Sequence, residues 1–261
     1  MAFGTISYRN NALSQTEPLS IILPEADVGE GPFPVLYLLH GMGDDHTTWM
    51  RMTRIESYVR SLPLIVVMPI TQWRSMYVDA INGPKAATAI AQDLVDFIDS
   101  RFNTRVDRRY RAICGLSMGG YGAFHLALSH PERFGAAVSH SGVLLYGHVN
   151  VDELPDDEHR ERMKAIVERT VGPTPKGGAA DLFAAAERLA VDQRPALRFD
   201  CGTEDFLIEH SRAFHRHLES IGYDHEYQEH PGAHTWDYWD QHVKESIDFF
   251  FRKLGWETSG S

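Results

Sequence analysis

The stretch RAICGLSMGGYGAF, residues 111–124, decides how the rest of the chain is read. Its first half is a short apolar run of strand type, and its second half is small and apolar with helical spacing. Between them lies Gly115-x-Ser117-x-Gly119. A serine on so tight a strand-to-helix turn takes strained backbone angles, and glycines two before and two after remove the side chains that would clash. The turn lifts the hydroxyl above the edge of a sheet, at a helix N-terminus where negative charge is favoured. Gly120 and Gly122 read as packing residues.

Working outward, strands and helices alternate. Residues 3–9 and 18–23 read as two early strands, a hairpin turning near Asn10-Asn11. Val35–Leu39 and 64–68 are continuous apolar runs, the pattern of strands buried on both faces of a parallel sheet. A helix is expected over 52–59. Ile90, Leu94, Phe97, Ile98 and Phe102 mark an amphipathic one. Strands follow at 110–114, 134–140, 196–201 and 225–228, with helices at 118 to about 129, 208–221 and about 238 to 254. This order predicts an α/β fold: a mainly parallel sheet, helices on both faces, and antiparallel strands at one edge. The charged, then Gly- and Pro-rich stretch 143–190 breaks the rhythm and reads as a cap-like insertion over the active site. One domain over 1–256 with a flexible tail at 257–261 is therefore expected.

A serine hydroxyl needs a base, and the base an orienting acid. The chain order expected after such a turn is serine, acid, histidine. FDCGTEDFL offers Glu204 and Asp205 after a strand, and EHPGAHTWDYW offers His230 and His234 after the last one. His234, in a Pro-Gly-Ala loop, is the stronger base candidate. Acyl transfer also needs oxyanion donors. The Met118 N–H follows the serine, and the turn in LLHGMGDDHTTW supplies a second from Met42, with Gly41 its rival. His40 reads as a residue that orients this loop. Trp73, Tyr77, Trp236 and Trp239 are candidates for the substrate pocket, whereas Trp49 reads as packing under the oxyanion loop. With 14 histidines in the chain, one histidine carries little information, and His210, His215 and His217 read as a solvated helix face rather than a metal site.

Taken together, LLHGMGDDHTTW, MPITQWRSMYVD, CGLSMGGYGAF, FDCGTEDFL and PGAHTWDYW resemble the esterase family of α/β-hydrolases that includes S-formylglutathione hydrolases (esterase D), tributyrin esterases, feruloyl and acetyl-xylan esterases, and mycolyltransferases. The match runs from about residue 35 to 240 and is nearest to the tributyrin esterase pattern. Met42-Gly43-Asp44 departs from the S-formylglutathione hydrolase form. The resemblance selects Asp205 over Glu204. It implies an α/β-hydrolase fold and a serine carboxylesterase acting on short-chain or aryl esters through an acyl-enzyme, without metal or organic cofactor. An acyltransferase or a thioesterase is the alternative, and a non-catalytic ligand-binding homologue a remote one. A dimer or tetramer is also implied.

Composition narrows the partners. Lys and Arg number 25 against 36 Asp and Glu, a net charge of −11, which disfavours nucleic acid. A small neutral ester suits this balance. Two cysteines make no disulfide framework. No apolar run approaches a membrane span. MAFGTISYRN lacks a basic cluster followed by an apolar stretch, so a cytoplasmic location is expected, or secretion if a leader has been removed.

Overall fold

The computed structural model describes residues 1–72, 74–156 and 160–257. Trp73 and nearly all of the expected tail thus lie outside the described residues. Eight strands form one sheet: β1 (Ala2–Asn10), β2 (Gln15–Leu23), β3 (Val35–Leu39), β4 (Ile65–Pro69), β5 (Arg111–Leu116), β6 (Ala136–His140), β7 (Ala196–Gly202) and β8 (His225–His230). Their order is β1-β2-β4-β3-β5-β6-β7-β8. The β1–β2 hairpin and the β2–β4 pair are antiparallel, and the remaining pairs are parallel. The fold is that of an α/β-hydrolase.

Strand periodicity explains the continuous apolar runs. In β3, Val35, Tyr37 and Leu39 enter one core, while Leu36 and Leu38 enter the other. On the first face lie α3 (Ala86–Thr88), a π-helical stretch Ala89–Leu94, α4 (Val95–Arg101), α5 (Met118–Ser129), α7 (Leu182–Arg188) and α8 (Ile208–Ser220). On the second lie α1 (Thr48–Met52), α2 (Ile55–Val59) and α9 (Trp236–Leu254). Residues 143–190 carry α6 (Arg160–Thr170) and α7. Met118 to Leu128 of α5 are all buried, as expected of a helix that is apolar all round. No helix of the described residues is long and apolar enough to cross a membrane.

Two helix expectations need correction. The single helix over 52–59 is replaced by two single turns, α1 and α2, broken at an extended Thr53. The Thr53 hydroxyl donates to the Trp49 carbonyl (2.5 Å) and accepts the Ile55 N–H (3.2 Å), so the side chain competes with the helical backbone. The Ile90–Phe102 stripe is present, but a wide π turn runs through its first half.

Beneath the carboxyl edge of the sheet, His140 and Asp200 face each other, both fully buried (Nδ1–Oδ1 2.9 Å). The other imidazole nitrogen reaches the Ser246 hydroxyl (2.8 Å), and the Tyr238 hydroxyl donates to Asp200 (3.0 Å). Burial opposes charge on His140, but the Asp200 carboxylate prevails and raises it to about 10. Burial likewise opposes ionisation of Asp200, and His140 outweighs it, holding the carboxyl below its usual range. The stabilisation from His140 is therefore complete below its ordinary value of 6.5 and is lost as pH rises through about 10. Replacing Asp200 with Asn removes the carboxylate that keeps His140 charged, so burial drives the ring to its neutral form and the stabilisation from the pair is lost. Urea unfolding at pH 7 should show a loss of about 3–5 kcal/mol that shrinks as pH rises past that of the His140 titration.

Candidate active site

Ser117 joins β5 to α5 with φ 53° and ψ −116°, a conformation unusual for a side-chain-bearing residue. Its N–H donates to the His140 carbonyl (2.9 Å), and its own carbonyl accepts the Tyr121 N–H (3.1 Å). The flanking glycines are sterically required. A Cβ on Gly115 would lie 2.3 Å from the Gly119 carbonyl oxygen, and one on Gly119 would lie 2.6 Å from the carbonyl oxygens of His40 and Leu39.

Three sheet-edge loops bring Ser117, His234 and Asp205 into one chain. Ser117 Oγ lies 3.0 Å from His234 Nε2, and His234 Nδ1 lies 2.8 Å from Asp205 Oδ2. The other Asp205 oxygen accepts the Leu207 N–H (2.9 Å). Burial opposes ionisation of Asp205, but hydrogen bonds from His234, Leu207 and Ser141 outweigh it and hold the carboxyl below its usual range. Glu204 plays another part. It accepts the Gly232 N–H (2.5 Å) while the Glu204 N–H donates to the Gly232 carbonyl (3.0 Å), so it ties the loop of Asp205 to that of His234. His230 lies apart from Ser117, stacked on His242 with ring centres 4.2 Å apart. The possible metal-ligand atoms of His230, His242 and Glu245 lie within 4.8 Å of one another, but Arg198 already pairs with Glu245.

Gly41 lies against Ser117: a Cβ there would be 3.8 Å from that of the serine. Among the described residues, neither the Met42 nor the Met118 N–H has a hydrogen-bond acceptor. His40 fastens this loop. Its Nε2 accepts the Thr71 N–H (3.1 Å), which leaves Nδ1 to donate to the Gly41 carbonyl (2.8 Å). Burial lowers its pKa, in keeping with a neutral ring. Trp49 is buried and donates to the Leu39 carbonyl (3.0 Å).

A cavity of about 910 Å³ opens over Ser117 and His234. Its walls include Met42, Met76, Leu145, Tyr146, Met163, Val167, Phe206, Trp236 and Trp239. Trp236 and Trp239 thus reach the cavity, but Tyr77 does not. Met76 (φ 51°) and Tyr77 (φ 54°) both have left-handed backbone angles and both are buried in the core, but only Met76 also lines the cavity. There Tyr77 donates to the His40 carbonyl (3.0 Å) and occupies the space where a Cβ on Gly122 would be (2.4 Å). The α8 histidines are also not simply solvated. His210 is half-buried on the cavity wall, where burial lowers it to about 4. His215 contacts His225 (2.7 Å) and His217 the Phe183 carbonyl (3.1 Å), so the three have separate partners.

Sequence reasoning missed Met76, Phe206, His210, Ser141 and the wall residues of 143–167. Only Phe206, an apolar residue directly after the acid, carried a signal that could have been read. Ser141 is fully buried with φ 48°; its hydroxyl contacts Asp205 and accepts the Trp239 indole N–H (3.2 Å). Trp239 in turn meets the His234 ring edge-on, at 4.9 Å between centres.

Residues 10–249 match the family described as "Putative esterase". The chain belongs to this esterase family. It is a carboxylic ester hydrolase of the serine type. An acetyl esterase of Caldicellulosiruptor saccharolyticus is 26% identical, over 95% of this chain and 98% of its own length. The substrate-bound fluorophosphonate-binding serine hydrolase F of Staphylococcus aureus is similar in structure, with a TM-score of 0.83 and 30% identity, over 95% of this chain and 98% of that one. An S-formylglutathione hydrolase of the same species gives a TM-score of 0.79 at 28% identity, with the same coverage.

Because Ser141 serves both the acid loop and Trp239, Ser141→Ala leaves the indole N–H without its acceptor. Denaturant unfolding should show a loss of about 1–3 kcal/mol.

Proposed function

We propose that the protein hydrolyses short-chain or aryl carboxylic esters with Ser117 as nucleophile, His234 as general base and acid, and Asp205 as the group that orients the imidazole. The continuous hydrogen-bonded chain Ser117–His234–Asp205 beneath an open apolar cavity carries this reading. Ser117 Oγ attacks the ester carbonyl carbon as His234 Nε2 takes its proton. The C=O π pair moves onto oxygen, where the Met42 and Met118 N–H groups receive it. Two such donors are each worth roughly 3 kcal/mol. Collapse breaks the carbon–oxygen bond of the leaving alcohol, and Nε2 returns the proton to it. Water, deprotonated by the same imidazole, then attacks the acyl-enzyme, releasing the acid and restoring Ser117. Asp205 remains a carboxylate throughout and stabilises the transient imidazolium.

The cavity lies within the size range of small-molecule sites, and its lining is mostly aliphatic and aromatic. That favours uncharged acyl and alcohol groups. Residues 143–190, within the single domain, act in this reading as the cap that shapes the cavity. The two thiols, Cys114 and Cys201, are free and buried, which accords with action in the cytoplasm.

A fluorophosphonate probe should label the wild-type chain once and leave Ser117→Ala unlabelled. On p-nitrophenyl acetate, Ser117→Ala should lose about a million-fold in kcat and Asp205→Asn about ten-thousand-fold. Near-normal turnover by Ser117→Ala would overturn the nucleophile assignment. Preferential transfer of the acyl group to an added alcohol would instead make the enzyme an acyltransferase.

A further inference from the structure

Phe206 is an exception among the large apolar side chains. It is 75% exposed, belongs to neither core, and alone among the exposed large hydrophobics of the described residues lines the cavity. Folding gains little from it there. The backbone that presents it is firmly held. The Asp205 N–H donates to the Gly202 carbonyl (3.1 Å), the Leu207 N–H to the Asp205 carboxylate, and the Ile208 N–H to the Asp205 carbonyl (3.1 Å). The ring is thereby set against His234, with 4.7 Å between centres and 49° between planes.

This position has a chemical meaning that rests on the esterase reading above. The imidazole must hand its proton to the leaving oxygen, so the alcohol departs within reach of Nε2. A substituent on that alcohol then extends alongside the imidazole, where Phe206 offers an open aromatic face. We infer that Phe206 forms the floor of a leaving-group subsite and selects esters of apolar, ring-bearing alcohols. Contact with such a ring removes apolar surface of both partners from water, and stacking adds to this. A methyl or ethyl alcohol is too short to cover the ring.

The test uses two esters with the same acyl group and different alcohols, benzyl acetate and ethyl acetate. Replacing Phe206 with Ala should lower the benzyl-to-ethyl ratio of kcat/KM about tenfold, mainly through KM on the benzyl ester. Phe206→Tyr should retain the wild-type ratio. Benzyl alcohol should inhibit hydrolysis of ethyl acetate by wild type, and by the alanine variant several-fold more weakly. An unchanged ratio, or an equal loss on both esters through kcat, would overturn the subsite; the latter would make Phe206 a support for His234. Failure of the esterase reading looks different: Ser117→Ala would then hydrolyse both esters as fast as wild type.

Discussion

The backbone at Ser117 is held where a side-chain-bearing residue is least at ease, and the site is organised around that constraint. Such a conformation costs of order 1–3 kcal/mol and persists only if its surroundings leave no alternative. Here they leave none. Gly115 and Gly119 meet backbone on either side, the Ser117 N–H is taken by His140, and the following helix is buried from Met118 to Leu128. Because β5 is central in the sheet and α5 lies across it, the serine cannot relax without disturbing the core.

The other two members of the chain are coordinated differently. Asp205 and His234 leave neighbouring strands, β7 and β8, and Glu204 bonds both ways across Gly232 to join their loops. Ser141, from the end of β6, adds a third connection by touching Asp205 and Trp239. The loops of Asp205 and His234 are therefore tied by both Glu204–Gly232 hydrogen bonds and by Ser141, while the buried His140–Asp200 pair lies beneath the same edge.

What the sequence discloses follows from how local each feature is. The turn at Ser117 is legible because its glycine spacing is dictated by contacts within one turn. The strands are legible because burial on both faces leaves uninterrupted apolar runs. Asp205 stands out from Glu204 by resemblance alone, since both carboxylates follow the same strand; the geometry separates them by giving one to His234 and the other to Gly232. Tyr77 illustrates the limit. Its distance along the chain from β4 suggests the cavity, but the chain passes through left-handed backbone angles at Met76 and Tyr77, which neither residue type announces, and Met76 lines the cavity instead. The break at Thr53 escapes because a side-chain hydrogen bond rather than hydrophobic period decides it, and the π stretch Ala89–Leu94 escapes because it leaves the apolar stripe in place.

Leu145, Tyr146, Met163 and Val167 of the cavity wall come from a part of the chain whose described residues contribute no strand to the sheet. The proposed catalytic groups come from the sheet edge instead. Variation at Leu145 and Met163, which only border the core, can thus reshape the wall at less cost to the strained turn than variation at Tyr146, whose ring meets Tyr121 of α5. A lineage carrying this scaffold can diversify in what it accepts while inheriting the alignment of Ser117, His234 and Asp205 unchanged.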